Sequence, residues 1–174
     1  MKIRRIPRYI FVNGVSWLLW WLRCKLWLFT MPQLAVMYCP FMRFRVEIWR
    51  KLGNIVGEQA YINKCCLLID SPELKPNVIL GDRVALSPYV TFITSAAPND
   101  SRLRLEPSNQ RYIRTAAITI GEDTWIGTHT VIHPGVKIGK RCIIGAMSNV
   151  TQDIPDDSLA YGNPARVIRS LKVD

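Results

Sequence analysis

Histidine is nearly missing from this sequence: of 174 residues, only His129 and His133 carry an imidazole. A zinc ion held by three histidines of one chain is thereby excluded. Cysteine occurs five times (Cys24, Cys39, Cys65, Cys66, Cys142), an odd number with no C-x-x-C pair. Neither a disulfide framework nor a thiolate metal site is expected, and a reducing cytoplasm is the fitting compartment. Acids are scarce in one stretch only. Residues 1–51 hold ten Lys or Arg against the single acid Glu47, whereas the remaining residues hold thirteen bases against twelve acids. The net charge of +10 is therefore no nucleic-acid footprint of the whole molecule; it belongs to the first third, above a nearly neutral body. Long uncharged apolar runs are also lacking. Residues 9–31 are rich in aromatic groups, including Trp17, Trp20, Trp21 and Trp27, but Arg23 and Lys25 interrupt them. That speaks against a spanning helix, and no small-residue cleavage site follows to suggest a secretory signal.

Against these absences stands a period. Every sixth residue from Val56 reads Val56, Ile62, Leu68, Leu74, Leu80, Leu86, Phe92. The count resumes at Ile120 with Ile126, Ile132, Ile138, Ile144 and Val150. All thirteen are Val, Ile, Leu or Phe, types that supply about 53 of the 174 residues, so chance agreement is on the order of one in ten million. Neither the 3.6 period of a helix nor the two-residue alternation of a flat sheet yields six. A β-solenoid does, because its coils stack and bury one continuous core. Glycine follows the apolar position at residues 57, 81, 121, 127, 139 and 145, where unusual dihedrals or close backbone approach is expected. Two residues before it stand small or β-branched groups: Ala60, Cys66, Val78, Val84, Val90, Thr124, Thr130, Val136, Cys142 and Ser148. One large and one small inward residue per face is what a tight triangular coil accommodates, which makes Cys66 and Cys142 core fillers.

The expected architecture is all-β: a left-handed parallel β-helix over residues 54–154, with N-terminal helices within residues 1–53 and a short helix within a tail at 155–174. The weakest coil is Leu68–Asn77, where Pro72 and Pro76 bracket Leu74. The period breaks between Phe92 and Ile120, and the insert at about 94–117 holds Arg102, Arg104, Arg111 and Arg114. A lid or acceptor loop is the expected use of one long excursion, with those arginines able to grip phosphate. Residues 41–51 (FMRFRVEIWRK) form a basic, aromatic helix stopped by Gly53 and Asn54. With five of the six tryptophans, residues 1–51 suit contact with an anionic membrane surface, the alternative being packing on the first coil.

The run ITIGEDTWIGTHTVIHPGVKIGKRCIIGAMSNVTQDIPDDSLAYGNPARVIR, residues 118–169, resembles the C-terminal half of hexapeptide-repeat sugar O-acetyltransferases: those of galactosides, maltose, nodulation factors and exopolysaccharide clusters. The junction RKLGNIVGEQAYI resembles the exopolysaccharide branch in particular. The resemblance implies a homotrimer with its active sites between neighbouring solenoids and acetyl-CoA as donor. The acceptor would be a sugar or lipid-linked glycan, and neither metal nor nucleic acid is expected. It implies that Trp125 lines the acetyl and acceptor region, Thr128 presents its backbone to the thioester, Ala146 meets the pantetheine arm, and Arg166 and Arg169 face the CoA phosphates. In that family a catalytic histidine follows the equivalent of VTFITS; here the place reads Ser95-Ala96-Ala97-Pro98. His129 is the substitute candidate for the general base, and loop Asp100 another. His133 is expected to face solvent, and Met147 and Gln152 alter the usual residues around CoA. A cytoplasmic acetyltransferase acting at the inner membrane face in polysaccharide or O-antigen assembly is the first reading. A degraded member that binds CoA or glycan without turnover is the second. A γ-type carbonic anhydrase, which shares the solenoid, needs a third histidine.

Overall fold

The computed structural model describes residues 37–98 and 101–172; the expectations for residues 1–36 and for Asp100 lie outside them. From Ile55 onward the chain winds into a three-faced parallel β-helix. One face stacks β1 (Ile55–Val56), β4 (Val78–Leu80), β9 (Ile118–Ile120) and β12 (Lys137–Ile138). The second stacks β2 (Tyr61–Ile62), β5 (Ala85–Leu86), β10 (Trp125–Ile126), β13 (Ile143–Ile144), β15 (Ser158–Gly162) and β16 (Ala165–Ser170). The third stacks β3 (Leu67–Ile69), β6 (Thr91–Ile93), β11 (Val131–Ile132) and β14 (Asn149–Val150). Ile120 stands opposite Ile138, Ile126 opposite Ile144, and Ile132 opposite Val150, so a regular coil is three hexapeptides.

Twelve of the thirteen periodic residues are buried, as are all ten small positions two residues before the large ones. The small polar members remain satisfied: the Thr124 hydroxyl donates to the Gly139 carbonyl at 2.8 Å, and that of Thr130 to Gly127 at 2.8 Å. Burial pushes the Cys66 thiol up to about 12, as befits a core filler rather than a nucleophile.

Leu74 is the exception. Val56 pairs with Leu80 rather than with Leu74, so the first coil is one hexapeptide longer and residues 70–77 bulge outward with Leu74 only half-buried. Pro72 and Pro76 supply no ladder donors there. Asn77 closes the bulge instead, with its side chain bonded to both Ser71 backbone groups and to the Thr94 hydroxyl.

The corners reveal what the glycines do. None of the six that follow the periodic residues has positive φ; the left-handed conformation falls two residues later, on Gln59, Cys65, Arg83, Tyr89, Asp123, His129, Arg141 and Met147. The glycines instead permit contact between coils. A Cβ at Gly127 would lie 2.5 Å from the Ala146 nitrogen and 2.8 Å from the Ile144 oxygen.

Helix α1 (Met42–Lys51) caps the first coil and ends, as the sequence indicates, at Gly53 with φ +87°. Its Trp49 meets Phe92 edge-on at 5.2 Å. Arg45, one of the cations counted as membrane-facing, is buried, donating to the Ile62 and Cys39 carbonyls; it ties the segment down and is not available to lipid. Phe41 and Phe44 remain exposed.

At the other end the expected helix is a hairpin. β15 continues the second face parallel to β13, and β16 returns antiparallel to it after Asn163-Pro164. The β-branched Val167 and Ile168 suit a strand, and the exposed edge of β15 offers the ladder bonds that outweigh helix formation. Ion pairs fasten the corner below. Arg83 chelates Asp123 at 2.6 and 2.7 Å, and Arg141 chelates Asp157 across coils at 2.5 and 2.9 Å.

Two expected outcomes follow from this geometry. Gly127→Ala forces a methyl against neighbouring backbone and should lower stability by about 1–3 kcal/mol, read in denaturant unfolding. The Arg141 guanidinium holds the Asp157 carboxyl below its usual range. Its stabilisation is present above the unfolded carboxyl pKa of about 3.9 and fades as pH falls through the lower folded value. Asp157→Asn, tolerant of the left-handed backbone there, should therefore flatten the acid limb of the stability profile below about pH 4.

Candidate active site

Each coil turns from the second face to the third through a two-residue corner, and these corners stack: Lys64-Cys65, Pro88-Tyr89, Thr128-His129 and Ala146-Met147. The column is stitched by backbone. The Thr128 hydroxyl and the His129 N–H both donate to the Pro88 carbonyl, at 2.8 and 3.3 Å, and the Met147 N–H donates to the Thr128 carbonyl at 2.8 Å. Thr128, His129 and Ala146, singled out separately in the sequence, thus stand together. Trp125, two residues before Gly127 on β10, projects outward and is 53% exposed. Its indole N–H donates to the Ser87 hydroxyl at 3.0 Å, which fixes the ring beside the column. The Thr128 N–H makes no hydrogen bond among the described residues.

Arg166 and Arg169 lie on β16. Their expected helical spacing of three would on a regular strand put them on opposite faces. The register shift restores them: Arg166 pairs with Tyr161 and Arg169 with Leu159, which are two apart on β15 and share its outer face. Tyr161 packs against Gly145, next to Ala146, so the arginine-bearing face adjoins the top of the column.

Chains with this architecture are known. The model of the bacterial transferase hexapeptide family (six repeats) matches residues 117–152. Galactoside O-acetyltransferase of Escherichia coli (strain K12) is 40% identical over 116 residues, 67% of this chain and 53% of that protein. A maltose O-acetyltransferase from Clostridium difficile 630 superposes with a TM-score of 0.57 at 27% identity, covering 87% of this chain and 86% of that one. The chain belongs to the hexapeptide-repeat acyltransferase superfamily. A further superfamily member, a hexapeptide-repeat-containing acetyltransferase from Vibrio cholerae O1 biovar eltor solved with acetyl coenzyme A, aligns with a TM-score of 0.55 at 26% identity over 82% of this chain and 84% of that one. The chain spans about half the length of the curated relatives it matches.

The position where other superfamily members are expected to carry histidine opens the insert. β7 (Ser95–Ala96) and β8 (Arg114–Thr115) form an antiparallel ribbon, with 3-10 turns at Arg102–Leu105 and Pro107–Tyr112 between them. Ala96, Ala97 and Pro98 line a cavity of about 340 Å³ with Leu103, Tyr112 and Ile113; among the described residues, the Tyr112 phenol is the one titratable group in that lining. His133 is half-buried, its Nε2 2.8 Å from Asn149 Oδ1, and so does not simply face solvent. Among the described residues no cluster of three or more His, Cys, Asp or Glu is placed to hold a metal.

Two neighbours of the site escaped the sequence reading, Ser87 and Tyr89. The signal for Tyr89 was present: it stands three residues after inward Leu86, as His129 stands three after inward Ile126.

Proposed function

We propose that the protein is an acetyl-CoA-dependent O-acetyltransferase acting on a sugar or a glycan intermediate of cell-surface polysaccharide synthesis, working as a homotrimer with its sites between neighbouring solenoids. One observation carries this reading: Thr128, His129 and Ala146 converge on one corner column with Trp125 beside it, and the Thr128 N–H is unbonded among the described residues. His129 takes the proton of the acceptor hydroxyl as its oxygen attacks the acetyl carbonyl, and the Thr128 N–H meets the charge that develops on the acyl oxygen. Collapse breaks the carbon–sulfur bond, and the imidazolium returns the proton to the departing thiolate. Ala146 offers no side chain to obstruct the pantetheine arm, while Arg166 and Arg169 share a face suited to phosphates. The relatives support the class of reaction: a galactoside O-acetyltransferase, a maltose O-acetyltransferase and an acetyltransferase solved with acetyl coenzyme A.

The acceptor is handled at the inner face of the cell membrane. Residues 1–51 carry a net +9 and five tryptophans, and Tyr38, Phe41 and Phe44 are exposed on the described part of that region. Aromatic rings at headgroup depth beside cations suit an anionic leaflet, and three copies in a trimer would act together. Among the described residues no helix is long and apolar enough to cross a membrane.

Three measurements test the proposal. Thiol release from acetyl-CoA against a panel of sugars, nucleotide sugars and lipid-linked glycans should find an acceptor; CoA binding without release for any of them would favour the noncatalytic reading. Arg166→Ala and Arg169→Ala should each weaken CoA binding by about 1–3 kcal/mol in calorimetry, and His129→Gln should lower turnover about 100-fold at little cost to that affinity. The full chain should float with anionic vesicles at low salt and be released as salt rises; indifference to anionic vesicles would point to a soluble sugar acceptor.

A further inference from the structure

We propose that Tyr89 is the positioning residue of His129, orienting the imidazole by ring stacking where a base is ordinarily oriented by a hydrogen-bonded side chain; this rests on His129 as the base of the acyl transfer above. The two rings lie face to face, with centroids 4.8 Å apart and an interplanar angle of 0°. That separation is the spacing of adjacent strands, and the coil geometry accounts for it. Both residues occupy the left-handed corner position, with φ of 62° and 57°, one coil apart in the same column. Equal backbone conformation gives their Cα–Cβ bonds the same direction, so two flat side chains placed there stack in register.

No other described group steers this imidazole. No hydrogen bond among the described residues reaches either ring nitrogen of His129, whereas His133 has Asn149 on its Nε2. A base is normally held by a third group that fixes its orientation, and an exposed ring without one would be free to change rotamer. The stack supplies that restraint and leaves both nitrogen edges open to a substrate. Tyr89 is itself anchored. Its corner receives two hydrogen bonds from the His129 corner through the Pro88 carbonyl. The Cys65 side chain one coil further along the column pushes the phenol above its ordinary range, which keeps Tyr89 a neutral partner.

The test is steady-state acetyl transfer with the full-length protein, using the acceptor found in the thiol-release panel. Tyr89→Phe keeps the ring and should retain kcat within about twofold. Tyr89→Gly, which accepts the positive φ without strain, should lower kcat about tenfold with KM for acetyl-CoA unchanged. In a His129→Gln background, Tyr89→Gly should cost nothing further, because a positioning residue has no one left to position. The NMR signal of the His129 ring should also lose its ring-current displacement in Tyr89→Gly and keep it in Tyr89→Phe; a signal indifferent to both changes would overturn the proposal. So would equal losses with and without His129, or a Tyr89→Phe enzyme as slow as Tyr89→Gly, which would give the hydroxyl a direct role. If His129→Gln is crippled while Tyr89→Gly matches the parent, this inference alone fails. If His129→Gln is fully active, the base assignment fails and carries this inference with it.

Discussion

Backbone meets backbone at the corners of this solenoid, and everything else is arranged around that contact. At Gly57, Gly81, Gly121, Gly127 and Gly139 an added Cβ would come within 2.7 Å of backbone or a capping carboxylate in the next coil. Nothing larger than hydrogen fits there. Once the coils are that close, the inward space per face is small, which is why each large Ile, Leu or Val is accompanied by one small residue and why Thr124, Thr130 and Ser148 bond backbone carbonyls from within the core. The left-handed residue follows two positions later because the chain must then turn toward the next face. Among the described residues, non-glycine residues bear that conformation at nine such corners, at some cost in backbone energy, and cross-coil hydrogen bonds and ion pairs at the same corners offset it.

A corner of this kind is also a means of aligning chemistry. Side chains far apart in sequence fall one strand spacing apart when they share a corner position, and their backbones cannot drift because the coils above and below fix them. Tyr89 and His129 are forty residues apart with the insert between them, yet they lie at the spacing of a single coil. The insert therefore leaves the column undisturbed: it departs from the third face after β6 and returns to the first at β9, contributing its own ribbon and cavity. A long excursion costs little in chain entropy, so the solenoid can carry this insert without loosening its coils.

The solenoid was legible because its constraint is written at fixed intervals. Inward residues, glycines and small partners repeat at six, and pairing of the coils turns that repeat into position with little freedom. What was illegible is where position depends on a partner and not on the interval. Leu74 keeps the count of six but belongs to a bulge, because the coil closes at Leu80 and Asn77 supplies the polar caps that the two prolines cannot. Ala165 to Ser170 has no decisive local signal. Its arginines at three-residue spacing read as a helix, and only the open edge of β15 makes it a strand. Arg45 looked like surface charge because nothing in the sequence announces that the Ile62 and Cys39 carbonyls wait for its guanidinium. Ser87 and Tyr89 were hidden differently: the corner column was implied by the register, but placing the rings required knowing which corner positions turn outward.

The hairpin shows how a strand can bring to one face two arginines whose spacing suits a helix. A parallel stack ends with an unpaired strand, and a bare edge invites association with another chain. β16 covers that edge for part of its length by folding back on β15. A regular antiparallel strand would then have sent Arg166 and Arg169 to opposite sides. The shift between Leu159 and Ala160 inserts one extra residue on β16, and a bulge of this kind re-aims the side chains beyond it. Both arginines consequently oppose outward residues of β15, where Tyr161 packs over Gly145. Closing the solenoid and presenting two cations beside the corner column are thus one structural act, with the bulge as the feature that reconciles them.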